Sequence, residues 1–232
     1  MNANDLHTYL FAGHPHPLEP PLQTWLASRR FAAFVDEAKS KIRKKLRAAG
    51  EPESLLPESL LDVRLELETA YLLLNERPFS VVYEPPAAEG IRTPDFAVSY
   101  TSHSTFMLEV TRLRGDAKLE RLEHAVCSKL GQLAPERGNV LLIGVSSSLT
   151  DAELRTAMAD LQRRAEQHDP EVLKRSRLRD WSDFFRHYAR LSEVLVRNPH
   201  EAGALSVWTN LQAKHLLSSK VRTALYRSQR VV

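Results

Sequence analysis

Cysteine is scarce in this chain, long apolar runs are missing and net charge is small, and each shortage removes a class of answers. One cysteine, Cys127, among 232 residues excludes an intramolecular disulfide framework and suits a reducing compartment. No apolar run approaches the roughly 18 residues of a membrane span, and the N-terminus carries no signal-peptide pattern. The expectation is a cytoplasmic protein without a membrane partner. A formal net charge of +3 says little about partners. Internal repeats, low-complexity tracts, a G-x-S-x-G elbow and Cys/His zinc spacing are all absent. Ser146-Ser147-Ser148 could cup an anion but lacks the glycines of a phosphate loop.

What is present reads as a globular chain. Hydrophobic residues make up 43% and charged residues 26%, enough for one well-buried domain. Charge is uneven: from Glu171 to Val232 there are 12 Lys or Arg against 5 Asp or Glu. Such a region suits a polyanion partner or a solvated helical face. Residues 1–21, with His14-Pro15-His16-Pro17 and Pro20-Pro21, read as an extended arm. The two histidines lack a cysteine or carboxylate at ligand spacing, so no metal is assigned to them.

Helical patterns cover 22–49, with Trp25, Phe31 and Phe34 as anchors, and Leu60 to Asn75 after Pro57. Phe79 to Tyr83 is a short strand, and Phe96–Tyr100 with Thr105–Val110 forms a hairpin. Asp116 to Ala134 is helical, with Val126 and Leu130 facing the core. Val140 to Val145 is a continuous apolar run of the kind covered on both faces. Thr150-Asp151 opens a helix to about Glu166. A polar stretch, His168 to Asp180, precedes a short helix at Trp181–Ala189. Strands at Leu191–Arg197 and Ala204–Trp208 and a closing helix at Leu211–Arg227 complete the chain.

Two positions in these elements call for a partner. On the Leu60–Asn75 helix, Glu68 falls inside a broad apolar arc, while Glu66 falls outside it beside Asp62 and Thr69. A carboxylate among leucines is costly unless it is paired or binds a cation; Arg64, one turn earlier, is the alternative to a metal. Glu109 lies in an otherwise apolar strand, where alternation sets it on the face opposite Leu108 and Val110. Asp95 opens the neighbouring strand. Two carboxylates on adjacent strands form an oxygen-rich site that suits Mg²⁺. The plainer reading is an ordinary acid pair, or Glu109 bridged to Arg92 or Arg112.

Thr93-Pro94-Asp95-Phe96 followed by Leu108-Glu109-Val110-Thr111 resembles the Pro-Asp…(Asp/Glu)-X-Lys signature of the PD-(D/E)XK nuclease superfamily. The resemblance spans about Leu60 to Val145. It implies an α/β fold: a central mixed β-sheet flanked by helices, with a restriction-endonuclease-like core at 56–150. N-terminal helices and a C-terminal α/β extension, 151–232, pack on that core as one domain. It also implies metal ligation by Asp95, Glu109 and the Val110 carbonyl, with Glu68 as an auxiliary ligand and Mg²⁺ or Mn²⁺ as the ion. Thr111 stands where the family lysine belongs. Some members carry that lysine on the following helix, where Lys129 is the candidate, with Gln132 one turn on and Lys118 in reserve. Lys129 could equally be a surface lysine whose stem covers the core edge. Gln132 and Thr111 would support the ligands.

The implied activity is metal-dependent hydrolysis of phosphodiester bonds in nucleic acid, DNA ahead of RNA. Basic residues such as Arg175, Arg177, Arg179 and Lys220 would contact phosphates. A homodimer would suit cleavage of two strands by symmetry. The alternative is an inactive nuclease-fold protein that binds nucleic acid or another protein, and a third reading is a structural protein with incidental acids.

Overall fold

The computed structural model describes residues 19–26, 36, 40, 58–85, 93–101, 104–115, 119–147, 149–198, 200, 201 and 203–230. Its centre is one six-stranded mixed sheet in the order β1-β2-β3-β4-β5-β6. β1 (Phe79–Tyr83), β2 (Phe96–Tyr100) and β3 (Ser104–Arg112) form an antiparallel meander. β4 (Gly138–Gly144) and β5 (Leu191–Arg197) continue it in parallel, and β6 (Leu205–Thr209) turns back antiparallel. The strands of the C-terminal third therefore extend the same sheet as the central hairpin.

Seven helices flank the sheet among the described residues: α1 (Glu19–Leu26), α2 (Glu58–Asn75), α3 (Leu119–Leu130), α4 (Asp151–Glu166), α5 (Pro170–Ser176), α6 (Trp181–Tyr188) and α7 (Ser219–Gln229). α2 and α7 cover one face, where Leu65, Leu73, Val221 and Leu225 meet Phe96, Leu108 and Leu195. α3 to α6 cover the other, where Val126, Leu154, Val172 and Phe184 meet Leu141, Ile143 and Val194. β4 is buried along its whole length. With helices on both sides it has no solvent face, and that is why its residues run apolar without alternation.

Local chemistry fixes the ends of these elements. Thr150 and Glu153 close a reciprocal capping box at the start of α4. The stretch from His168 to Asp180 is not simply a polar connection: Asp169 caps α5 and Pro170 fills its first turn. The closing helix begins at Ser219, behind a Ser218 cap, not at Leu211. Pro20 and Pro21 belong to α1, in a first turn where a missing N–H costs nothing. Of the helix expected over 22–49, only 22–26, 36 and 40 are described. The rest of the extended arm, Arg92, His103 and Lys118 also lie outside the described residues. No described helix is long and apolar enough to cross a membrane.

Candidate functional site

The β2–β3 register builds the site. Phe96 pairs with Leu108, so Asp95, one residue before the ladder, comes level with Glu109. The alternation that sends Leu108 and Val110 toward α2 turns Glu109 toward α3. Asp95 is held at both ends: its carbonyl accepts from the Glu84 N–H at 2.8 Å, and its Oδ2 accepts from the Val110 N–H at 2.8 Å. Glu84 itself follows β1 in a left-handed conformation, φ 42°, a strained setting for a residue with a side chain.

Glu109 is buried, and Lys129 of α3 reaches it, with Nζ donating to Oε1 at 2.7 Å. The bond is charge-assisted and satisfies a carboxylate in an otherwise apolar strand. Gln132 stands beside the lysine, its Oε1 3.5 Å from Nζ. Thr111 lines the same cavity from β3.

Glu68 is elsewhere. It points away from Asp95 and Glu109 into the α2–α7 layer, where its Oε2 accepts from Arg197 Nη2 at 3.3 Å and Arg64 Nε lies 3.4 Å from Oε1. Arg197 is itself fully buried and also donates to Gln229 Oε1 at 2.9 Å. Burial pushes the Glu68 carboxyl up to about 7, against the opposing pull of Arg197 and Arg64. The acids that α2 turns into the cavity are Asp62 and Glu66, and Glu66 Oε2 accepts from the Tyr83 hydroxyl at 2.8 Å. Burial, and then the Glu66 charge, push the Tyr83 phenol upward. Two residues apart on a helix means about 200° of rotation, so Glu66 and Glu68 cannot serve the same site. The signal was the spacing of Asp62 and Glu66, one turn apart and therefore on one stripe.

These groups surround a cavity of about 500 Å³. Its walls bring together five carboxylates, Asp62, Glu66, Glu84, Asp95 and Glu109, with Arg112, Arg114 and Lys129 as the cations. Asp62 ties down the two arginines, at 3.2 Å from Arg112 Nε and 3.6 Å from Arg114 Nη2. Burial, and then the charge of Arg114, pull the Arg112 pKa down. The lining is rich in oxygen and net negative, which fits a hard divalent cation in donor type. Among the described residues, no three His, Cys, Asp or Glu side chains are close enough together to hold a metal as they stand.

The other residues singled out by sequence disperse. Arg175 pairs with Glu120 at 2.6 Å, and Arg179 with Asp183 at 3.4 Å. Arg177 is the left-handed C-cap of α5. Lys220 lines a separate surface depression beside Arg227. Trp208 packs on Tyr188, with ring centroids 6.2 Å apart, and the Tyr226 hydroxyl donates to buried Glu193 at 2.7 Å. Comparison with known proteins found no matching family model, no matching curated protein and no matching solved structure.

Proposed function

We propose that this chain is a metal-dependent phosphodiesterase acting on nucleic acid, DNA ahead of RNA. The observation that carries the reading is the convergence of Asp95, Glu109 and Lys129 on one acidic cavity, with the lysine 2.7 Å from Glu109. Asp95, Glu109 and the Val110 carbonyl are the residues that would hold Mg²⁺ or Mn²⁺. When bound, such an ion neutralises charge on a phosphoryl oxygen and lowers the pKa of a water.

The remaining work falls to the chain. The Val110 N–H and the Glu84 N–H fix Asp95, so its carboxylate is oriented before any ligand arrives. Lys129 supplies the positive charge that Thr111 lacks; moving from Glu109 toward a phosphoryl oxygen, its ammonium would offset charge that develops there. Glu66, braced by Tyr83, takes the supporting acid role from α2 in place of Glu68.

A second reading draws on the same cavity. Thr111 replaces the signature lysine, and Lys129 already occupies Glu109 Oε1, as expected of a nuclease-fold protein that has kept binding and lost cleavage. Incubating the protein with plasmid, linear and single-stranded DNA and with RNA, under Mg²⁺ or Mn²⁺, separates the two. Expected is metal-dependent cleavage that disappears in Asp95→Ala and Glu109→Ala. Lys129→Met should also be inactive, and adding Thr111→Lys to it should restore part of the activity. Metal at about 100 times its Kd should stabilise the wild type by about 2.7 kcal/mol, and Asp95→Ala should not respond. Nucleic-acid binding with neither cleavage nor a metal response would establish the binding module instead.

A further inference from the structure

A cavity lined by five carboxylates and three cations repels a polyanion, so affinity for a phosphodiester backbone has to come from charge beside it. A second groove, about 390 Å³, opens next to the cavity and shares Thr111, Arg112 and Arg114 with it. Arg121, His124 and Ser128 of α3 form one wall, and Arg175 of α5 joins them. Among the described lining residues, four arginines face a single carboxylate, Glu120.

The groove is held in shape. Arg121 Nη1 donates to the Arg114 carbonyl at 2.9 Å, which ties the end of β3 to the first turn of α3. Gly115, at φ 73°, lies under that guanidinium, and a Cβ there would collide with it. Arg175 is held by Glu120 at 2.6 Å with its side chain 19% exposed. Arg121, His124 and Ser128 recur at helical spacing, so they form one stripe of α3. The residue after Ser128 is Lys129, which reaches Glu109. From Arg121 to Lys129 the helix rises about 12 Å, on the order of three charges of one strand measured along the axis of a duplex.

We propose that this groove is the backbone track for the strand that enters the acidic cavity. Arg114, Arg121 and Arg175 contact successive phosphates on one side of the reacting position, without reading sequence. The inference rests on the phosphodiesterase reading for the identity of the polyanion, but it can be tested without cleavage.

Fluorescence anisotropy with a labelled DNA duplex, its single strand and the matching RNA, in EDTA across a salt series, provides that test. Wild type should bind at least one of the three with a marked salt dependence. Arg121→Gln should weaken binding several-fold and reduce the log–log salt slope by about 1, and Arg121→Lys should recover most of the loss. Arg163→Gln removes the same charge from α4, where Arg163 pairs with Asp160, and should bind like wild type. The track is overturned if Arg121→Gln and Arg163→Gln behave alike, or if wild type binds none of the three probes. Metal-dependent cleavage with binding indifferent to Arg121 would retire the track alone. Binding that depends on Arg121, with no cleavage under any metal, would retire the phosphodiesterase and keep the track.

Discussion

Glu109 meets Lys129 on one face of the sheet, and Glu68 meets Arg197 on the other. Both acids are buried and both have a cation in reach, yet their settings differ. The Lys129 side chain is 20% exposed and borders an open cavity. The Glu68 and Arg197 side chains are each 1% exposed, and Gln229 and Thr69 also accept from the two Nη atoms of the guanidinium. Glu68 also borders a cavity, of about 230 Å³, so the difference lies in the partner: a carboxylate whose lysine is partly exposed can exchange it for a ligand, whereas one held by a fully buried arginine acts as a strut. Neither burial of an acid nor space beside it marks a functional group by itself; a partner cation able to leave does.

Breaking the sealed pair should have the largest effect, and an unequal one. Glu68→Leu leaves Arg197 buried without the oxygen that accepts from its Nη2, and a guanidinium cannot shed its proton. That variant should lose about 3–5 kcal/mol in urea unfolding. Arg197→Met should cost less, about 1–3 kcal/mol, because Glu68 can take up a proton. The double variant should return close to wild type. Equal costs for the two single variants would contradict this account of the strut.

The sealed pair should also be visible in the pH dependence of stability. The folded Glu68 carboxyl sits at about 7, above its ordinary 4.5. Its contribution is therefore full below about 4.5 and is lost as pH rises through about 7. From this group alone, stability should fall by on the order of 3 kcal/mol across that window. Urea midpoints measured on either side of the window should show the fall in wild type and a flatter profile in Glu68→Gln.

The open pair should contribute least to folding. Glu109→Gln keeps the shape and an acceptor for Lys129, so it should cost only about 1–2 kcal/mol in the same urea measurement. A loss as large as that of Glu68→Leu would make Glu109 a strut as well, and the contrast between the two faces would collapse.

Much of the fold was legible because short-range rules and tertiary packing agree there. Alternation along 105–110 gave the face of Glu109, the unbroken apolar run at 140–145 marked a strand with two covered sides, and Thr150-Asp151 announced α4. Between Glu66 and Glu68 the pattern points two ways: the Asp62–Glu66 spacing favours Glu66, and the apolar arc favours Glu68. A helical wheel assumes one buried face, but α2 is buried from Val63 almost without break through Leu73, because the sheet and α7 both press on it. Where a helix is covered on several sides, the polar stripe stops meaning solvent, and Glu66 and Thr69 are buried for that reason. α5, at seven residues, is too short to show a period. Leu211 and Leu216 extend the apolar pattern of the closing helix upstream of Ser219, although they are 80% and 54% exposed. At the site, pairing Asp95 with Glu109 needed only the hairpin. Bringing Lys129 to them needed the β3–α3–β4 crossover, whose packing no local pattern reports.

The cavity draws its walls from three layers: Asp62 and Glu66 from the helix on one face, Asp95 and Glu109 from the strands, and Lys129 from the helix on the other face. A folding intermediate with only one helical layer docked has half a pocket, with its acids unopposed or its lysine unplaced. Assembly of the pocket is therefore coupled to completion of the whole domain.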